Sequence, residues 1–109
     1  MQIIIDIDGT ICSEERQYSR PLAKPLSGAI ESINSLFEEG NTIILYTART
    51  WSEWEVTTHW LQANGVKYHQ LFMGKPVGDV WIDDRAIAHT TWEETMAALA
   101  RRANRGAPR

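Results

Sequence analysis

Asp6 and Asp8 stand two residues apart at the end of the apolar run Ile3-Ile4-Ile5, and Gly9-Thr10 follows at once. In a strand, residues i and i+2 share a face. Once the chain turns at Gly9, both carboxylates can point into one crevice. Two like charges that close are costly without a cation between them or a shared proton, so the pair reads as a reactive site rather than as core. Asp8-Gly9 alone is also an ordinary turn, but that leaves Asp6 unexplained. Further along are Thr47 after an apolar run, Lys75 within Gly74-Lys75-Pro76, and Asp83-Asp84 after Val80-Trp81-Ile82. Each has a plainer reading: a strand-end threonine, an exposed turn lysine, a pair capping the next turn. Arg49 can clamp a phosphate or sugar acid through its planar fork, or pair with Glu53 or Glu55.

The elements that position these residues alternate strand and helix. Residues 2–7 read as a buried strand, and residues 8–24 as a loop long enough to be functional. A helix is expected from about Ser27, as N-cap, to Glu39, with Gly40 as its stop. Strand 42–46 follows, ending at Thr47. A second helix opens with a capping box at Ser52-Glu53-Trp54-Glu55 and runs to Asn64-Gly65. Residues 68–72 and 80–82 read as third and fourth strands. A last helix begins at Thr91-Trp92-Glu93-Glu94. This pattern predicts an α/β fold: a three-layer, doubly wound parallel sheet with helices on both faces. In such sheets ligands bind beyond the carboxyl ends of the strands, where all the residues named above fall.

Composition narrows the class. At 109 residues and 43% hydrophobic, one domain is expected over residues 1–102, with a basic, disordered tail at 103–109. The single Cys12 cannot form an internal disulfide, which suits a reducing compartment. With no leader or long apolar stretch, the expectation is a cytoplasmic protein with no membrane partner. Residues 1–100 carry 7 Lys/Arg against 14 Asp/Glu, a net of −7, and residues 101–109 add four arginines. An acidic body disfavours nucleic acid as a partner. Trp54, Trp60 and Trp92 are expected to cover the core. Trp51, in the loop after the second strand, is the tryptophan expected near substrate.

Asp6-Ile-Asp8-Gly9-Thr10, Thr47, Lys75 and Ile82-Asp83-Asp84 together resemble the four ordered signatures of the haloacid dehalogenase (HAD) superfamily. The resemblance spans about residues 2–88. Tyr46-Thr47-Ala48-Arg49, Gly74-Lys75-Pro76 and Ile82-Asp83-Asp84-Arg85-Ala86 are also similar to small bacterial HAD phosphatases associated with capsule or surface-polysaccharide synthesis. The resemblance implies a Rossmann-like core and a Mg²⁺-dependent phosphomonoesterase working through an aspartyl-phosphate. Asp6 would be the nucleophile and Asp8 the general acid and base. Thr47 and Lys75 would hold the phosphoryl oxygens. Mg²⁺ would be held by Asp6, the Asp8 carbonyl and Asp83 or Asp84, with Asp83 favoured as the direct ligand. Gly9, Thr10, Ala48, Arg49, Tyr18, Arg20 and Trp51 are expected to line the substrate site. The space after the first and third strands is too short for a cap domain. An open mouth is therefore expected, covered at most by the loop carrying Tyr18 and Arg20 or by a second copy of the chain. The expected substrate is a small phosphorylated metabolite, a sugar or surface-polysaccharide precursor. The alternatives are a nucleic-acid end or phosphoprotein as substrate, or a non-catalytic scaffold that keeps the fold.

Overall fold

The computed structural model describes residues 1–104. Three parallel strands, β1 (Gln2–Asp6), β2 (Thr42–Tyr46) and β3 (Gln70–Phe72), form a sheet in the order β1-β2-β3. Gln2 pairs with Thr42 through to Asp6 with Tyr46, and Ile44 pairs with Gln70 through to Tyr46 with Phe72. The connections run through α1 (Ala29–Glu38) and α2 (Trp54–Ala63). Both steps move the same way across the sheet, so right-handed crossovers place the two helices on one face. Burial follows that rule. Ile5, Ile7, Ile43, Leu45 and Leu71 are buried together with Ile33, Leu36 and Leu61. On the opposite face Ile4 is 64% exposed and Phe72 49%. The helical cover expected on both faces is present on one among the described residues.

α3 (Trp92–Asn104) packs on α1. Its N-terminal Thr91 hydroxyl accepts from the Glu94 amide at 3.2 Å, one half of the expected capping box, while the Glu94 carboxylate accepts from the Thr90 hydroxyl. The helix includes Ala103 and Asn104, which were expected to be tail, while residues 105–109 lie outside the described residues. The other helix starts differ from expectation. Gly28, not Ser27, is the N-cap of α1, at φ 77°. A β-carbon there would make only an ordinary contact, 3.5 Å from Trp92 Cβ, so the positive φ is what calls for glycine. Ahead of α2, in a short 3₁₀ turn at Trp51–Glu53, the box pairs Thr50 with Glu53.

The expected fourth strand does not form. Residues 76–86 are exposed throughout and carry no strand, with Ile82 95% exposed. Only residues 73–79 separate β3 from Val80. A parallel return needs a crossover of a dozen or more residues, and these seven include Pro76 and Gly78. The local preference of Val80-Trp81-Ile82 for strand is overruled by the length of the connection.

Candidate active site

The chain leaves β1 through a tight turn in which the Ile7 carbonyl accepts from the amides of Thr10, Ile11 and Cys12 at 3.1, 2.8 and 3.3 Å. Gly9 has φ 81°, a conformation that side-chain-bearing residues rarely adopt. The excursion that follows is pinned at its base: the Leu26 amide donates to Ile11 O and the Ser13 amide to Lys24 O, both at 2.8 Å. Trp60 Nε1 donates to Ala23 O, also at 2.8 Å. The loop expected as a lid is therefore anchored, and a 3₁₀ turn at Gln17–Leu22 presents Arg20 inward and leaves Tyr18 78% exposed.

Asp8 is the hub. Arg49 grips it with two nitrogens, Nε to Oδ2 at 3.0 Å and Nη2 to Oδ1 at 2.7 Å. Arg20 Nη1 donates to Oδ1 at 3.1 Å, and the Thr47 hydroxyl donates to Oδ2 at 3.4 Å. Each carboxylate oxygen thus accepts at least two bonds, the charge-assisted kind that is strongest. Arg49 is itself buried, and its remaining terminal nitrogen donates to Thr57 Oγ1 at 2.9 Å. Burial works against its charge. The Asp8 hydrogen bonds and charge outweigh that, and the Arg49 pKa is raised. Neither role expected of Arg49 is the one observed: its guanidinium is spent on Asp8 and Thr57, not on an open substrate face or on Glu53 or Glu55. Spacing gives no sign of a partner 41 residues away.

Asp6 is the freer acid. Its Oδ1 lies 3.3 Å from Lys75 Nζ, and its Oδ2 accepts a 3.5 Å contact from Thr10 Oγ1. The loops after β2 and β3 are laced together to bring Lys75 there. The Lys75 amide donates to Thr47 O at 2.8 Å, and the Gly74 amide to Arg49 O at 2.9 Å. Lys75 Nζ also sits 5.9 Å from the Tyr46 ring centre and 5.4 Å from that of Trp81. Thr47, expected to hold phosphoryl oxygens, is fully buried, and its hydroxyl accepts from the Arg49 amide while donating to Asp8. Ala48 and Gly9 are exposed at the rim and Thr10 is half-buried.

The structure brings together Asp6, Asp8, Thr10, Arg20, Thr47, Arg49 and Lys75. Asp83 and Asp84 do not complete a metal-holding group with Asp6 and Asp8: among the described residues no three His, Cys, Asp or Glu side chains are grouped to hold a metal ion. Asp83 Oδ1 accepts from the Arg85 amide at 3.0 Å, and Arg85 O accepts from Arg102 of α3 at 2.6 Å. Trp54, expected in the core, is 38% exposed and stacks at 5.4 Å on Trp51, itself 65% exposed. Glu53 was legible as a cap or as a partner for Arg49, not for Arg20. It is buried, and its Oε1 accepts from Arg20 Nε at 2.9 Å.

No protein-family profile matches the chain, and no curated protein matches it. Solved structures do. A structural-genomics target from Vibrio cholerae is 25% identical, with a TM-score of 0.69 over 93% of this chain and 98% of its own. The D,D-heptose 1,7-bisphosphate phosphatase of B. bronchiseptica, crystallised with magnesium and phosphate, is 21% identical, with a TM-score of 0.51 over 95% of this chain and 64% of that one. The fold is HAD-like. A chain from a Pnkp1/Rnl/Hen1 complex is 19% identical, with a TM-score of 0.61 over 76% of this chain and 30% of that one. At these identities the last two likenesses are of fold.

Proposed function

We propose that the chain is a phosphomonoester hydrolase. The observation that carries this reading is the contrast between its two first acids: Asp6 beside Lys75 with capacity to spare, and Asp8 locked by two guanidiniums. Asp6 attacks phosphorus, forming an O–P bond as the ester O–P bond breaks. Asp8 gives a proton to the leaving oxygen, then takes one from the water that cleaves the aspartyl-phosphate. Lys75 steadies charge on the phosphoryl oxygens, where positioning and electrostatics do most of the catalysis.

The donor set offers a hard cation the Asp6 carboxylate and nearby carbonyls, including that of Asp8, which suits Mg²⁺. When bound, the ion offsets charge at the phosphoryl group. Asp83, with Asp84 beside it, would complete that set. The substrate class we favour is a phosphorylated sugar or surface-polysaccharide precursor, in keeping with the sugar-phosphate named for one fold neighbour. The exposed Trp51–Trp54 stack favours a second reading, a ring-bearing nucleotide end, against which the acidic body weighs.

The test is hydrolysis of an aryl phosphate with and without Mg²⁺, wild type against Asp6→Asn. The expected loss is at least about three orders of magnitude in kcat. Turnover that survives both the substitution and a chelator defeats the mechanism.

A further inference from the structure

Glu53 is buried at the entrance to α2, and carboxylates are rarely buried unless paired. Its two oxygens serve two different loops. Oε1 accepts from Nε of Arg20, 33 residues away, at 2.9 Å, and Oε2 accepts from the Thr50 amide at 3.2 Å. Thr50 directly follows Arg49. One carboxylate thus ties the loop that delivers Arg20 to the loop that delivers Arg49, and both arginines end on Asp8. The charges balance: Asp8 and Glu53 against Arg20 and Arg49. Arg20 uses Nε on Glu53 and Nη1 on Asp8, while its other terminal nitrogen has no partner among the described residues. Its side chain is 16% exposed.

We propose that Glu53 is a positioning residue of this site. By taking Arg20 Nε, it fixes the guanidinium with one terminal nitrogen on Asp8 and the other turned to a phosphoryl oxygen of the substrate. The proposal rests on the phosphatase reading above. Without Glu53, the Arg20 fork keeps only its single bond to Asp8 Oδ1 and can pivot about it. Glutamine cannot substitute: it has one acceptor oxygen for two donors and sets an NH₂ group against the other.

The test uses the full chain as Glu53→Gln, Arg20→Ala, the double variant, and Glu55→Gln as an exposed charge control. Three quantities are read: kcat and KM for an aryl phosphate with Mg²⁺, the Kd of inorganic phosphate from calorimetry, and Tm. Arg20→Ala is expected to raise KM and the phosphate Kd about tenfold or more, the usual worth of a charge-assisted bond. Glu53→Gln is expected to raise both severalfold and Glu55→Gln neither. The double variant should be no worse than Arg20→Ala, because both changes remove one interaction. Full multiplication of the two effects, or a fallen Tm with unchanged KM and Kd, reduces Glu53 to a helix cap and overturns the proposal. A wild type that neither hydrolyses the ester nor binds phosphate brings down the phosphatase reading and the proposal with it. An active wild type with independent effects sinks the role of Glu53 alone.

Discussion

The two sides of the mouth are built on different terms. On one, β1, β2 and α2 feed Asp8, Thr47, Arg49 and Thr57 into a network, and among the described residues no buried side-chain nitrogen or oxygen lacks a partner. On the other, the arm of residues 76–86 holds Val77, Val80, Trp81, Ile82, Asp83 and Asp84 in solvent. Ordering a residue costs about 1–2 kcal/mol of backbone entropy, and a segment without buried contacts has little to set against that. The clamped side is organised before anything binds.

The contrast is tested most severely through Arg49. Truncating one partner of a buried ion pair strands the other, at a cost of about 3–5 kcal/mol. For a domain of this size Arg49→Ala should then lower Tm by roughly 10 °C or more, and turnover should fall with it. Val80→Ser and Ile82→Ser, at exposed positions, should stay within about 0.5 kcal/mol of wild type. Urea unfolding of the three variants reads both. Comparable losses on the two sides would erase the distinction.

A smaller effect sharpens it. Asp83→Asn should leave Tm without Mg²⁺ unchanged, yet weaken Mg²⁺ activation about tenfold or more, in the range seen when a metal's supporting groups are altered. Hydrogen exchange at residues 79–86 should slow when Mg²⁺ is added to wild type and not to Asp83→Asn. Because exchange needs no turnover, it separates recruitment of the arm from catalysis. An arm that exchanges at the same rate with and without Mg²⁺ leaves Asp83 no metal role.

The clamped side was the less legible of the two. Ile3–Ile5 and Ile43–Leu45 announce buried strands because apolar runs report burial directly. Asp6 and Asp8 announce a site because paired acids at a strand end have few other uses. Arg49 and Glu53 announce nothing of their real partners, since a contact across 33 or 41 residues leaves no periodicity. Glu53 sat in a plausible capping pattern at Ser52–Glu55, and the cap that forms begins two residues earlier, at Thr50. The fourth strand erred the other way. Val80-Trp81-Ile82 has strand composition, but residues 73–79 are too few for a parallel crossover, a constraint that counting the residues between Phe72 and Val80 makes plain.

Cys12 reports on the clamp at the finest scale. It is fully buried, with Sγ 4.0 Å from both Asp8 Oδ1 and Arg49 Nη2. Burial, then the Asp8 charge, push its thiol from 9.0 up to about 11, against the opposing pull of Arg49 and Arg20. A folded pKa above the unfolded one means that the thiol form favours the fold. That contribution is complete below pH 9 and is lost as pH climbs from 9 towards 11. Since the thiolate is the reactive form, a disulfide reagent at pH 8 should modify Cys12 at least about tenfold more slowly in the folded protein than in urea. Arg49→Ala removes a charge that favours the thiolate, so electrostatics alone would slow the reaction further. If the clamp is what seals the thiol from the reagent, the same substitution speeds it instead. Folded Cys12 reacting as fast as unfolded would mean that this side of the mouth is as open as the arm.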